Sequence, residues 1–210
     1  MVHYKLYYFN LRARGEIARQ LLALAGEPFE DIRVDFAEWP SLKKSMPFEQ
    51  LPVLEADGEQ ISQSHTIARY LAKKLGFSGG TILEQAHVDA LADQYNDFFN
   101  IIRPFFLTLG GFMEGDWEAL LIDVVRPARD DFFKIITKIL LENDTKHNSG
   151  FLVGEAVTWV DLLLAEHVST IKAYDPHYTR DWPRIQEHWA KVRGLKNLDK
   201  WISERPETIY

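Results

Sequence analysis

Two adjacent tyrosines, Tyr7 and Tyr8 in YYFNLRARGE (residues 7–16), stand where the pattern of a strand gives way to that of a helix. A tyrosine hydroxyl, with a pKa of about 10, is a poor nucleophile at neutral pH but a good hydrogen-bond donor. Donation to a bound thiolate favours the charged form and lowers the pKa of the thiol. A free thiol of pKa about 8.5 is only a few per cent ionised near neutrality, so lowering it by about one to two units makes most of it nucleophilic. Arg14, one turn into the following helix, can add positive charge nearby. Strand alternation places Tyr7 and Tyr8 on opposite faces, and Tyr7 reads as packing. Two readings of Tyr8 stand side by side: a hydroxyl placed for chemistry, and a core aromatic whose hydroxyl is merely satisfied.

Other residues could hold a charged ligand. Gln63 and Ser64 sit where a helix begins, and free backbone N–H groups with the positive end of the helix dipole suit a carboxylate. The alternative is that Ser62 or Ser64 simply caps that helix. Trp39 and Lys43, four apart in WPSLKK, share a face on one helical turn and offer an indole N–H and an ammonium. Pro52 directly precedes a strand in EQLPVL; a cis bond there would free the backbone N–H and C=O of Leu51 to pair with an extended ligand, and the sequence leaves the isomer open. Thr158-x-x-Asp161 in VTWVDL is a capping-box variant that starts a buried helix, a structural feature.

Composition narrows the chemistry. The chain has no cysteine, which excludes disulfides, thiolate metal sites and a cysteine nucleophile. Its seven histidines include no pair at metal-ligand spacing, so no metal site is expected. Sulfur chemistry, if any, uses a thiol that arrives with the substrate. With 31 acidic against 24 basic residues the net charge is -7, and there is no basic stripe to neutralise a phosphate backbone, so nucleic acid is not expected as a partner. No apolar run approaches the roughly 20 residues that span a bilayer, and the N-terminus lacks the layout of a secretory signal. The expectation is a soluble, cytoplasmic protein without membrane association.

These residues need a scaffold. Val2 to Phe9 alternate as a strand; Ile17, Leu21, Leu24 and Ala25 recur at helical spacing, closed by Gly26 and Pro28; FEDIRVDF alternates again through Ile32, Val34 and Phe36. After an irregular piece come two strands joined at Asp57-Gly58, the dipeptide of a type I′ turn, and a helix with Ile67, Leu71 and Leu75 on its apolar stripe, ended by Gly76. Residues 1–76 thus spell β-α-β then β-β-α, the size of a thioredoxin-like domain. Residues 77–83, FSGGTIL, read as a linker. From 84 to 210 everything reads as helix, roughly 84–110, 116–142, 158–171, 183–193 and 197–203, broken at GGFMEGD and by the loop HNSGFLVGEAV. The predicted architecture is an α/β thioredoxin-like domain followed by an all-α domain.

YYF near the start, AEWPSLK, LPVLEADG, SQSHTIARYLA, VDALADQYNDF, VTWVDL and the closing WISERPETIY together resemble the glutathione S-transferase family from end to end, and within it the sigma class in its nematode form. The resemblance implies the glutathione transferase fold and a homodimer that conjugates glutathione to hydrophobic electrophiles in detoxification, with no permanently bound cofactor. Glutathione peroxidase and prostaglandin isomerase activities occur in the same family. By position it implies that Tyr8 stabilises the glutathione thiolate, that Trp39 and Lys43 hold the glycine carboxylate, that Leu51 pairs through its backbone beside Pro52, and that Gln63 and Ser64 hold the γ-glutamyl carboxylate. Glu49 and Gln50 lie along the same groove. Asp97 matches an acidic residue that reaches across a dimer interface, and Phe48 occupies the place of an aromatic key in several classes. Phe9, Arg14, Arg103, Phe106 and Tyr210 are expected around the electrophile.

The chain also departs from the pattern. Arg103, Pro104, Phe105 and Phe106 stand where the prostaglandin synthase of the sigma class has a Pro-Trp pair, and Asn96 and Asp97 stand where it pairs two aspartates around a cation. No metal site is carried over. A different class of function remains beside the enzyme: the same fold as a carrier of haem or another lipophilic ligand, or as a structural protein. A purely structural relative tends to lose the glutathione residues, which this chain keeps.

Overall fold

The computed structural model describes residues 2–210; Met1, the first residue of the expected N-terminal domain, lies outside the described residues. The chain divides into two compact units, Met1–Ser78 with Arg193–Tyr210, and Gly79–Val192.

The first unit is built on a four-stranded sheet in the order β2-β1-β3-β4. In β1 (Tyr4–Phe9) the side chains of Tyr4, Leu6 and Tyr8 are buried while those between are half-buried, the alternation read from the sequence. β2 (Phe29–Val34) runs parallel to β1, with Tyr8 opposite Arg33 and Phe9 opposite Val34. It stops two residues short of the predicted Phe36, because the Asp35 carbonyl accepts the N–H groups of Glu38 and Trp39 and turns the chain. β3 (Val53–Ala56) and β4 (Glu59–Ser62) form the expected antiparallel hairpin, and Asp57 and Gly58 both take positive φ, 52° and 90°, as a type I′ turn requires.

Within residues 10–78 three helices accompany the sheet beside short turns. α1 (Glu16–Ala25) buries Ile17, Leu21 and Leu22 and ends at Gly26, whose φ of 72° lets the closing N–H groups reach back to Leu22 and Ala23. α2 (Trp39–Leu42) is one turn long and runs into a 3-10 turn, Lys43–Ser45. α3 (Ser64–Leu75) buries Ile67 and Leu71 and closes at Gly76. The sequence reading places the C-terminal residues with the helical domain, whereas they cluster with the first unit: α9 (Lys196–Glu204) lies on α1, where the Asn197 amide donates to the Leu24 carbonyl and the Trp201 indole to Glu16.

The second unit is helical. α4 (Ile82–Leu109) begins within the span read as linker, because Thr81 and Glu84 form a capping box: the Thr81 hydroxyl accepts from Glu84 N–H and the Glu84 carboxylate from Thr81 N–H. The helix expected over 116–142 is three pieces. α5 (Trp117–Leu120), capped by Asp116, passes into a π turn, Leu121–Val125, and then α6 (Arg126–His147). Pro127 lacks the N–H that an α-helix would aim at the carbonyl four residues earlier, and the wider turn lies just before it. α7 (Trp159–Lys172) is buried on nearly every side, and α8 (Pro183–Arg193) follows. The predicted Thr158–Asp161 capping box is present. Stacked Phe98 and Phe132, with Tyr95, His167, Tyr178 and Phe133, form an aromatic core. Among the described residues no helix is long and apolar enough to cross a membrane.

Candidate active site at the end of the β1 strand

The sheet register gathers the candidate residues of the first unit at one edge. Tyr7 in β1 pairs with Val53 in β3, and Val53 pairs with Ser62 in β4. Residues leaving β1 after Phe9, entering β3 at Leu51 and Pro52, and leaving β4 at Gln63 and Ser64 therefore emerge at the same end of the sheet. Parallel β2 adds its own exit there, since Val34 lies opposite Phe9 and leads to Trp39.

Tyr8 is the centre of this edge. Its side chain is only 6% exposed, and its Oη accepts the backbone N–H of Arg14 at 3.2 Å. A hydroxyl that accepts one bond still has its single proton to donate. Burial pushes the Tyr8 pKa above its ordinary value, opposed by the Arg14 N–H and the Arg14 and Arg19 guanidiniums, so the group is neutral and a donor near neutrality. Tyr7 differs: its hydroxyl faces Glu55 at 3.5 Å on the other side of the strand.

Arg14 is not in the helix as its spacing suggested. It lies in a 3-10 turn, Ala13–Gly15, ahead of α1, because the Arg12 carbonyl gathers the N–H groups of Gly15 and Glu16. Its side chain is exposed, while its N–H is the group on Tyr8. Gly15 is there of necessity: a Cβ would meet Tyr8 Cδ1 at 2.5 Å and Cγ at 2.6 Å. Arg19, fully buried, places its guanidinium 5.7 Å from the Tyr8 ring centroid and donates to the carbonyls of Leu11 at 2.7 Å and Phe9 at 3.4 Å. Sequence reasoning missed Gly15 and Arg19: at helical spacing Arg19 falls opposite the Ile17, Leu21 and Leu24 stripe, so nothing in the pattern marked it for burial.

Around this edge lie aromatic and polar groups. Phe9 stacks on exposed Phe36 at 4.6 Å and meets the edge of half-buried Trp39 at 5.6 Å. Lys43 is exposed, 3.8 Å from the Glu49 carboxylate. The Leu51-Pro52 bond is cis, Leu51 is half-buried and Gln50 exposed. The cap position of α3 belongs to Gln63, not to Ser62 or Ser64, because the chain turns there with φ 74° and ψ 119°; Ser64 is the first residue of the helix. A non-glycine residue in that region is strained, and such outliers cluster at ligand sites. Gln63 is solvent-exposed and Ser64 half-buried. Tyr210 is buried, and its carbonyl accepts the Arg12 N–H at 2.8 Å. In the second unit, Asp97 and Arg103 are exposed on α4 and Phe106 is buried. Among the described residues no group of three or more His, Cys, Asp or Glu is arranged to hold a metal ion.

Residues 4–73 match the family described as Glutathione S-transferase, N-terminal domain, and residues 120–205 match Glutathione S-transferase, C-terminal domain. Probable glutathione S-transferase 7 of Caenorhabditis elegans is 44% identical over 210 residues, spanning the whole of both chains. The chain belongs to the glutathione S-transferase family. Solved structures of similar transferases include a Nu-class protein from Haemonchus contortus, 48% identical over the whole of both chains with a TM-score of 0.90. Another, from the hookworm Necator americanus and described as monomeric Na-GST-3, is 48% identical with a TM-score of 0.95 and covers 99% of this chain and 100% of its own. As a glutathione S-transferase the protein is an enzyme whose co-substrate is glutathione, and its two-part fold is the fold of that family.

Proposed function

We propose that the transferase activates the thiol of glutathione through the Tyr8 hydroxyl and conjugates it to hydrophobic electrophiles. The observation that carries this is the buried, neutral Tyr8 hydroxyl, fixed by the Arg14 N–H at the edge where Leu51, Gln63, Ser64 and the loop to Trp39 also emerge. Trp39 and Lys43 take the glycine carboxylate, with Glu49 and Gln50 alongside. The Leu51 backbone beside cis Pro52 pairs with the cysteinyl part, and Gln63 and Ser64 take the γ-glutamyl carboxylate. The strained Gln63 backbone at the start of α3, where the Gln63 side chain makes no capping hydrogen bond, supports that last assignment.

The electrophile contacts are assigned by resemblance to Phe9, Arg14 and Tyr210 of the first unit and to Arg103 and Phe106 on α4. We assign a detoxifying role in the cytoplasm, with reduction of lipid peroxides as a secondary activity on the same activated thiol. The Pro-Trp pair of the prostaglandin synthase is replaced here, which argues against prostaglandin isomerisation. The sigma-class assignment rests on the quoted motifs, while a relative of 48% identity carries the Nu-class name. For the quaternary state we infer a homodimer in which Asp97 reaches the ligand of the second copy; exposed Asp97 and Phe48, 61% accessible, support this, against a hookworm relative described as monomeric.

Steady-state turnover with an aryl halide tests the proposal. Tyr8→Phe is expected to cut kcat/KM by about 10²- to 10³-fold, the scale of removing one oxyanion-hole donor. Equal rates in the variant would remove Tyr8 from the mechanism, and haem or lipophile binding without turnover would favour a carrier.

A further inference from the structure

The mechanism above leaves a buried polar cluster unused, and that cluster links the C-terminus to Tyr8. Glu16 and Arg19 lie one turn apart on α1, both side chains fully buried. Glu16 Oε1 accepts the Trp201 indole N–H at 2.8 Å and an Arg205 N–H at 2.5 Å, donors 185 and 189 residues away. Its contacts with Gln20 and Arg19 are longer, 3.5 Å and 3.4 Å. Arg19 spends its fork elsewhere: Nε donates to Asp31 at 2.8 Å, Nη1 to the Leu11 carbonyl and Nη2 to the Phe9 carbonyl. Those carbonyls flank Asn10, in the segment that leaves Tyr8 and returns its N–H donor at Arg14. A second tie holds the same segment, from Arg12 N–H to the Tyr210 carbonyl.

We propose that Trp201 and Arg205 are positioning residues for Tyr8: they hold the Glu16 carboxylate and so leave the Arg19 guanidinium to fix the Phe9 and Leu11 carbonyls, which sets the loop carrying the Arg14 N–H to the Tyr8 hydroxyl. This rests on the assignment of Tyr8 as the thiolate donor. A fully buried carboxylate requires compensating donors, and the two short bonds to Glu16 both come from the C-terminal segment. When Arg205 is lost, Arg19 is the remaining guanidinium within reach, and it is drawn toward Glu16 and away from the two carbonyls. Arg19 Nη1 already faces both, at 2.7 Å from the Leu11 carbonyl and 3.4 Å from Glu16 Oε2, so a shorter contact with Glu16 lengthens the one with Leu11. A shift of about 1 Å in a catalytic group can cost about 10²-fold in rate, so a small movement of the loop suffices to weaken the thiolate site.

A merely structural cluster would lower stability and leave thiol ionisation untouched, which separates the two roles. The test uses the full-length protein with bound glutathione, following the ultraviolet absorbance of the thiolate against pH, with the unfolding midpoint measured in parallel. Arg205→Gln is expected to raise the apparent pKa of the bound thiol by roughly half to one unit, a three- to tenfold loss of thiolate below that pKa, with glutathione affinity changed by no more than about twofold. Arg205→Lys, which keeps the charge, is expected to recover part of the shift. Should Arg205→Gln not fold, Trp201→Phe removes only one donor and is expected to move the pKa in the same direction by less. An unmoved pKa in folded Arg205→Gln, or in Trp201→Phe where that variant stands in, overturns the proposal. If instead the thiol pKa of the unaltered protein is that of free glutathione, or Tyr8→Phe leaves a lowered pKa in place, the Tyr8 assignment itself fails and this inference falls with it.

Discussion

Glu16 in the first unit and Asp161 in the second are both fully buried carboxylates, and their partners differ in reach. Asp161 accepts from the Thr158 N–H and hydroxyl at 2.7 and 2.8 Å, the Leu152 N–H at 2.8 Å and His188 Nε2 at 2.8 Å. These donors belong to its own helix start, to the loop before it and to α8. That loop is tied down further by Asn143, which donates to the Phe151 and Gly154 carbonyls. Glu16 is held instead from the far end of the chain, and through Arg19 it touches the strand and loop that carry Tyr8. One kind of group thus serves two ends. Under the role proposed for Tyr8, a network that closes on itself sets stability, and one that shares a donor with the strand carrying Tyr8 also sets chemistry.

Asp161→Ala is the largest perturbation of the first kind. Four donors would lose their acceptor in a buried place, and a loss of about 3 to 5 kcal/mol in unfolding free energy is expected from denaturant titration. Turnover per folded molecule should stay unchanged; a fall in it would erase the distinction.

Acidity probes the same unit. Burial pushes the His167 imidazole, bonded to the Tyr178 hydroxyl at 2.9 Å, down to about 3 from 6.5. Because the folded pKa is depressed, the folded protein binds fewer protons than the unfolded chain between about pH 6.5 and pH 3. The stability is therefore whole above about pH 6.5 and is lost as pH falls through that window. Roughly 2 kcal/mol of it should be gone by about pH 5, at about 1.4 kcal/mol per unit. Unfolding midpoints across this range should fall for the parent and much less for His167→Phe; parallel profiles would refute the assignment.

Perturbations of the Tyr8 edge should reverse the pattern. Gly15→Ala drives a methyl into the Tyr8 ring, and about a tenfold loss of kcat/KM is expected, with an overpacking cost of about 1 to 3 kcal/mol in stability. Arg14→Ala should do least. The group on Tyr8 is the backbone N–H, which alanine keeps, so about a threefold loss from the missing positive charge is expected in the same assay. A loss matching that of Tyr8→Phe would place the guanidinium, rather than the N–H, at the centre of the site.

What the sequence showed and what it hid follow the same division between local and distant partners. Strand alternation through Tyr8, the Asp57-Gly58 turn, the Gly26 and Gly76 helix stops and the Thr158–Asp161 box are all encoded within a few residues, and all are present. The π turn ahead of Pro127, the cap role of Gln63 and the placement of Arg14 before α1 depend on local backbone geometry that residue type only biases. Arg19 and Glu16 were invisible as site residues because their meaning lies in Trp201 and Arg205, which no periodicity connects to α1. The attachment of α9 to the first unit was hidden for the same reason.

The central claim is that a neutral Tyr8 hydroxyl, held by the Arg14 N–H, stabilises the thiolate of glutathione. The most direct measurement is the pKa of the enzyme-bound thiol, read from thiolate absorbance in the parent and in Tyr8→Phe. The account predicts a value about one to two units below that of the free thiol in the parent and a return toward the free value in the variant. The same lowered pKa in both proteins would contradict it.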